Sequence, residues 1–458
     1  MSHAEKRALI EPWFDLLDGL EKRRADVEKR GVKTSRNSSR PPSSDGLKRP
    51  AAAPRQAGVQ RPGGQPGPVG MTRAWHDSPD AARELRPEGC CGCGLPLADQ
   101  WGVIGEGRQP IEIPEPKVHV TEYRQSRVTC AGGGTHRGTL PVGITPHVSD
   151  GPRLKAYAVG LVDGHCVALA RMAEIIGAQA GRPPSGGTLQ RWIGQAAAAL
   201  RPDYAAIRQG VIAADVAHVD ERGMRGNGQT QWRHVAGTTT RADDTIHPRR
   251  GLEAMTAAGL RPGFTGHAVQ DHGVPYFHCT QVTHSRCRAH RLRERRDCED
   301  ATAGHHGPAR RRDMLITGKT AVEQACAAGQ EAVDATTGER VLVEYDRWVT
   351  LGLWVVPEPP KALGQKGRPQ QDPATHRLRR LRDFRTELWR FLHAFRVPFD
   401  NNLAERLVRP VKVKLNVAGG FRAVGGAEAF CIRRSVWQTD TLQGINPFDT
   451  LRSLAEIT

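Results

Sequence analysis

The chain has 458 residues, a length that suits about three domains, and 38% of them are hydrophobic, enough to bury at least one core. Lys and Arg number 66 against 49 Asp and Glu, and the net charge of +17 favours a polyanionic partner, DNA or RNA, over the plainer reading of a solvated surface. No run of about 18 apolar residues appears and the N-terminal residues lack a secretory stretch, so a cytoplasmic protein with no membrane contact is expected. Ten cysteines in a chain this long do not make a disulfide scaffold.

Residues 1–34 form the first region. Over 5–31, Ile10, Trp13, Leu17, Leu20 and Val27 fall on heptad seam positions that Arg24 interrupts, which suits either a coiled coil or a helix packed on its own protein. Residues 35–85 read as a disordered basic linker: in 35–70, 18 of 36 positions are Ser, Pro or Gly, too few apolar groups to fold alone. Such a segment can still lie along a phosphate backbone. Residues 86–145 hold four of the cysteines, Cys90, Cys91, Cys93 and Cys130, crowded as in a metal module, beside the strand-like "KVHVTEYRQSRVTC".

Residues 150–205 predict a helical domain. "CVALARMAEIIGAQAG", a turn "RPPS", and "GGTLQRWIGQAAAAL" opened by Ser185 suit a helix-turn-helix or an ordinary helical hairpin equally. From 211 the pattern changes. "VIAADVAHVD", "QTQWRHVAGTTT" and "GHAVQD" read as strands and "RRGLEAMTAAGL" as a helix, the alternation of an α/β core over 211–430. Residues 305–372 are poorly patterned and belong to a helical insertion expected at about 300–375. Residues 374–396 predict one amphipathic helix, with Leu378, Leu381, Leu388, Phe391, Leu392 and Phe395 on a face. "PFDNNLAERLVRP" follows, with Asp400 or Asn401 placed to cap a new helix, and 431–458 reads as a helical tail.

Phosphoryl transfer on DNA without an organic cofactor calls for two divalent ions about 3.5–4 Å apart. Magnesium takes oxygen ligands, so the site must gather carboxylates. Asp220 and Asp271 end predicted strands, and Glu405 lies on a predicted helix that would cross them. Spacing alone does not separate these three from the many carboxylates that merely cap or solvate a strand end.

Longer strings carry more. "FDNNLAERLVRPVKVKLNVAGGFRAVGGAEAF" resembles the C-terminal signature of the insertion-sequence-66 family of DDE-type transposases. "HVDERG" and "VQDHGVPYF" resemble the strands bearing its first and second catalytic Asp, and "HSRCRAHRLRE" the block after them. "SRNSSRPPSSDGLKRP", "CCGCGLPL" and "GPRLKAYAVGLVDGHCVALARMAEIIGA" resemble its linker, zinc module and helical segment, so the likeness is collinear over nearly the whole chain.

The resemblance implies a ribonuclease-H-like core, with Asp220, Asp271 and Glu405 as catalytic residues holding two Mg²⁺ or Mn²⁺ ions. It implies cleavage at the ends of a mobile element and strand transfer into target DNA. The expected partners are double-stranded DNA and a second copy of the chain or more, with accessory proteins, in a nucleoid-associated setting.

The chain departs from the family pattern at two motifs, and the stretch "CIRRSVWQTDTLQG" is looser than the family string. The Asp-Glu-Thr of the first strand is here Asp220, Glu221, Arg222. Cys90, Cys93 and Cys130 are the expected Zn²⁺ ligands, but Gly133 stands where the fourth should be, and Cys91 and His136 are the substitutes at hand.

Twelve Lys and Arg against four acids between His376 and Arg422 put a basic face near the carboxylates, where Arg406, Arg409, Lys412, Lys414 and Arg422 are the expected DNA contacts. Glu221 should point to the opposite strand face and serve structure or solvation. Cys279, His284, Cys287 and His290 resemble a core block, for which packing and DNA contact are expected rather than zinc. A rival reading is a catalytically decayed relative that binds DNA as a regulator; a third is a nuclease that cuts without joining.

Overall fold

The computed structural model describes residues 72–457 apart from 87, 89, 91, 98–102, 104, 114–117, 142, 143, 145, 146, 272, 273, 290–306 and 356–372. The helix expected over 5–31, most of the linker, Cys91 and His290 lie outside the described residues. Two compact units divide the chain, residues 49–120 and the remainder. In the first, structure is local. Gly94, with φ +70°, donates to the Cys90 carbonyl at 2.8 Å, and Cys90 donates to the Leu95 carbonyl at 2.9 Å, which closes a turn around the Cys-x-x-Cys pair.

The remainder opens on a small antiparallel hairpin, β1 (Arg127–Thr129) and β2 (Thr135–Arg137). The alternation expected from 117 onward becomes regular strand only at its end, and every residue of the hairpin is exposed. With no apolar face to bury, little holds a longer strand in place.

Four helices follow: α1 (Pro152–Asp163), α2 (Leu169–Ala180), α3 (Gly186–Ala199) and α4 (Arg201–Ile212). Ser185 caps α3 as the sequence suggests, accepting from the Thr188 amide at 3.1 Å. Val211 and Ile212, expected in the first strand, instead finish α4. Ile207 and Val211 lie one helical turn apart and are both buried in α4, and a short apolar run does not by itself distinguish strand from helix.

The sheet has five strands: β3 (Val216–Gly226), β4 (Gln229–Gly237), β5 (Ala242–His247), β6 (His267–Gln270) and β7 (Thr283–Arg286). Their spatial order is β5-β4-β3-β6-β7. β3, β4 and β5 pair antiparallel, while β6 lies parallel to β3 and β7 parallel to β6. The β3–β4 turn is Asn227-Gly228, both with positive φ (53° and 72°), as a tight two-residue hairpin requires. β5 and β7 escaped the sequence reading. β5 reads "ADDTIH", and its two acids look exposed. Asp244 is in fact fully buried against the equally buried guanidinium of Arg233, and Asp243 is buried against Arg208.

The pleat sorts the sheet's two faces. Ala217, Val219 and Ala236 join Val211, Met255, Phe264 and Tyr276 in one core, with α5 (Leu252–Ala257) and α6 (Leu260–Gly263). The other face meets two long helices, α11 (Asn402–Ala418) and α12 (Val424–Gln443), through Val235, Leu403, Leu407 and Val408 and through Met224, Val411 and Phe430. α11 seats close because residue 237 is glycine: a Cβ there would fall 2.3 Å from Leu407 Cδ1. Pro410 interrupts the hydrogen-bond ladder of α11, and the nearby carbonyls are served from outside. Arg233 donates to Leu407 and Val408, and Gln438 to Leu407 at 2.8 Å.

Between β7 and α11 lies a helical insertion: α7 (Gly307–Ala327), α8 (Ala335–Val355), α9 (Pro373–Asp383) and α10 (Arg385–Trp389), closed by a 3₁₀ turn over Arg390–Leu392. Leu315, Val341, Tyr345, Val349, Trp389 and Phe391 form its own core. The single helix expected over 374–396 is broken at Phe384, whose backbone (φ −113°, ψ 32°) leaves the helical region while its ring packs on Phe277 and under Arg286. α12 runs through the boundary expected at 430. It packs with α1, α4 and α13 (Pro447–Ile457) in one core, and Arg433 locks onto Asp163 of α1 in a buried ion pair at 2.7 Å.

Candidate active site

Register brings the first two carboxylates together. The last β3–β6 pair is His218↔Val269, and Asp220 and Asp271 each lie two residues further on. Parallel neighbours keep the same facing, so both acids project on the side of α11. β7 extends the row: Gln270 pairs with Arg286, and the Cys287 amide donates to the Gln270 carbonyl at 2.8 Å. Asp220, Asp271 and Cys287 thus stand side by side where the parallel pairing of β3, β6 and β7 ends, the place where open α/β sheets put their ligands. β3 itself does not stop at Asp220 as expected but runs on to Gly226 against β4. Glu405, one turn into α11, reaches the row from above. The ligand atoms of Asp271, Cys287 and Glu405 lie within 4.8 Å of one another, the one such group of three among the described residues.

Asp220 stands just outside that ring but feels it. Burial pushes its carboxyl up to about 7, and the negative charges of Asp271, Glu221 and Glu405 push the same way, against one hydrogen bond from the Glu221 amide at 2.8 Å. Carboxylates crowded closely enough to raise one another's proton affinity fit a divalent cation. The donor set of this cluster therefore suits a metal ion.

Asn401 ties the row together. Its side chain is fully buried and makes no helix-capping bond; Asp400 instead accepts from the Asn402 amide at 3.0 Å. The Asn401 amide nitrogen donates to Asp271 Oδ1 at 3.2 Å and to the Val219 carbonyl at 3.0 Å, and its Oδ1 lies 3.0 Å from His218 Nδ1. Its backbone N–H donates to Cys287 Sγ at 3.2 Å. Sequence patterns suggest only a helix cap for Asn401 and packing or DNA contact for Cys287. Only the register, which sequence does not display, gives either a place at the carboxylates.

Glu221 turns to the other face and is structural, not solvated: it accepts from Tyr276 at 2.5 Å and from Arg250 at 2.7 Å. Arg222 returns to the α11 side. It and Arg409 sit near enough to Lys412 that, after burial, they are what holds its ammonium below the usual lysine range. Like charges crowded on one surface are stabilised by a polyanion. Arg406, Arg409 and Arg422 are exposed. Lys414 is turned inward, its ammonium 4.9 Å from the Phe421 ring centre and 5.7 Å from that of Phe430.

The remaining cysteines part company. Cys279 donates to Met255 sulfur at 3.5 Å inside a core, and His284 bonds the Cys279 carbonyl, so neither joins Cys287 in a metal group. Cys93 and Cys130 are exposed, and the Cys93 amide and thiol hold the Cys90 thiol below its usual range. Gly134 brings Cys130 Sγ and His136 Nε2 near one another in the β1–β2 hairpin, at 3.4 and 3.5 Å from where its Cβ would be.

A carboxylate row where parallel strands meet, beside a helix of crowded cations, has the chemistry that suits metal ions and polyanions. Residues 147–429 match the transposase IS66 family, more than half of the chain, and the chain belongs to that family. All three carboxylates lie inside the matched span. Residues 1–74 match a second family, DUF6444, of unknown function. No curated protein matches the chain. Among the described residues no helix is long and apolar enough to cross a membrane.

Proposed function

We propose that the chain is a DDE-type transposase that cuts DNA at the ends of a mobile element and joins the freed 3′ hydroxyl to target DNA. The observation that carries this reading is the convergence of Asp271 and Glu405 in one group of ligand atoms, with Asp220 near enough that, after burial, their charges help push its carboxyl up to about 7. The strand order β5-β4-β3-β6-β7, parallel on the side that bears the acids, supports a ribonuclease-H-like core.

Mg²⁺ or Mn²⁺ held by these oxygens would activate the attacking water or hydroxyl and stabilise the leaving oxygen. Asp220, Asp271 and Glu405 supply the oxygens. Arg222, Arg406, Arg409 and Lys412 hold the phosphate backbone over them, and Arg422 extends that face. Both element ends must be held for joining, so the protein works as a dimer or larger assembly on DNA.

The test is incubation of the protein with labelled element-end DNA and Mg²⁺ or Mn²⁺, beside Glu405→Gln. Metal-dependent cleavage, lost in the variant by more than the roughly 10–100-fold of an outer-shell change, is expected. Binding without cleavage by either protein leaves a DNA-binding regulator, and cleavage without joined product leaves a nuclease.

A further inference from the structure

We infer that Asn401 is a positioning residue for the metal site, an inference that rests on the carboxylate reading above. Its side chain reaches β3 at His218 and Val219 and the end of β6 at Asp271 in one step, while its own carbonyl accepts the Glu405 amide at 3.2 Å, the first turn of α11. One residue thereby fixes the Asp271 carboxylate, the strand that bears Asp220 and the turn that bears Glu405.

The amide is spent on these contacts. Both Nδ2 hydrogens have acceptors, which settles which end of the side chain is oxygen. Oδ1 must then receive a hydrogen from His218 Nδ1, 3.0 Å away. A neutral donor has a specific advantage here. A Lys or Arg would orient Asp271 equally well, but its charge would compete with a divalent cation for the same oxygens. An amide orients the carboxylate and leaves its charge intact. Residues that hold metal ligands in this way are worth about 10–100-fold in metal affinity.

The test measures Mn²⁺ binding to the full chain without DNA, from the electron paramagnetic resonance signal of free Mn²⁺, alongside the Mn²⁺ concentration that gives half-maximal cleavage. Asn401→Ala is expected to weaken Mn²⁺ binding about 10–100-fold and to raise the Mn²⁺ requirement in parallel, while still binding element-end DNA in the absence of metal. Asn401→Ser, which keeps a short donor, covers the case in which the alanine variant does not fold, and is expected to fall between alanine and asparagine. A residue serving only packing would lower the thermal midpoint and leave Mn²⁺ affinity unchanged; that result in either folded variant overturns the inference. Asp271→Asn and Glu405→Gln separate the two layers. If both weaken Mn²⁺ binding and the Asn401 variants do not, the positioning role alone falls; if neither weakens it, the carboxylate reading falls and takes this inference with it.

Discussion

Asp220 and Glu405 meet across 185 residues of chain, whereas Cys90 and Cys93 share a single turn. The first site is held by parallel register, a buried amide and a helix seated on glycine. The cysteines sit on short, exposed backbone: the β1–β2 hairpin around Cys130 buries none of its strand residues. One site has its ligands arranged by the fold before any ion arrives; ligands on exposed turns must be gathered by whatever binds them. Pre-organisation of the carboxylates comes with polar groups deep in the interior, and those are where the contrast can be tested.

The largest effect should come from Arg233, whose guanidinium and the Asp244 carboxylate are both fully buried beneath α11. Arg233→Met leaves a buried carboxylate unpaired and is expected to cost about 3–5 kcal/mol by urea unfolding, with Arg233→Met/Asp244→Leu recovering most of it. A loss below about 1 kcal/mol would mean that α11 does not depend on this pair.

The next effect is on pH. Asp220 has a folded-state pKa of about 7, above its usual value of 3.8, so between those limits the folded metal-free protein binds more protons than the unfolded chain. With other groups held constant, this carboxyl makes metal-free stability decline as pH rises through that window. Metal binding needs the carboxylate, so Mn²⁺ affinity should rise up to about tenfold per pH unit below 7 and level off above it. A flat profile from pH 5.5 to 8, measured by titration calorimetry, would remove Asp220 from the ligand set.

The smallest effect is a labelling pattern. Cys93, Cys130 and Cys326 are exposed, while Cys166, Cys279, Cys287 and Cys431 are buried. A thiol reagent followed by peptide mass mapping should modify the first three promptly and the other four only with denaturant. Protection of Cys93 and Cys130 in the native protein would show that a metal or partner covers them and would erase the contrast.

Much of this could be read from the chain. The carboxylates that end "HVD" and "VQD", the helix opened by Ser185, and the opposite facing of Glu221 follow from period-two alternation, capping chemistry and family resemblance. β5 stayed hidden because its acids Asp243 and Asp244 look like a solvated loop until their partners Arg208 and Arg233 are in place. The insertion is expected from the sequence, but its separate helices are not: the apolar residues of α7 do not gather on one face, and Gly318 interrupts it where a Cβ would lie 2.6 Å from the Trp389 ring. Cys287 and Asn401 were invisible for a third reason. Their importance lies in strand register and in bonds spanning more than 100 positions, and neither leaves a local pattern.

The placement of Asn401 and Glu405 at the start of α11 also sets an order of events during synthesis. A ribosome completes β3, β6 and β7, and with them Asp220, Asp271 and Cys287, well before it makes the residues that clamp and complete the row. Chain still being made, or cut short by a premature stop ahead of residue 401, carries two acids with nothing to hold them. On the proposed reading the carboxylate site is completed late in synthesis, so a copy that ends before residue 401 would lack it.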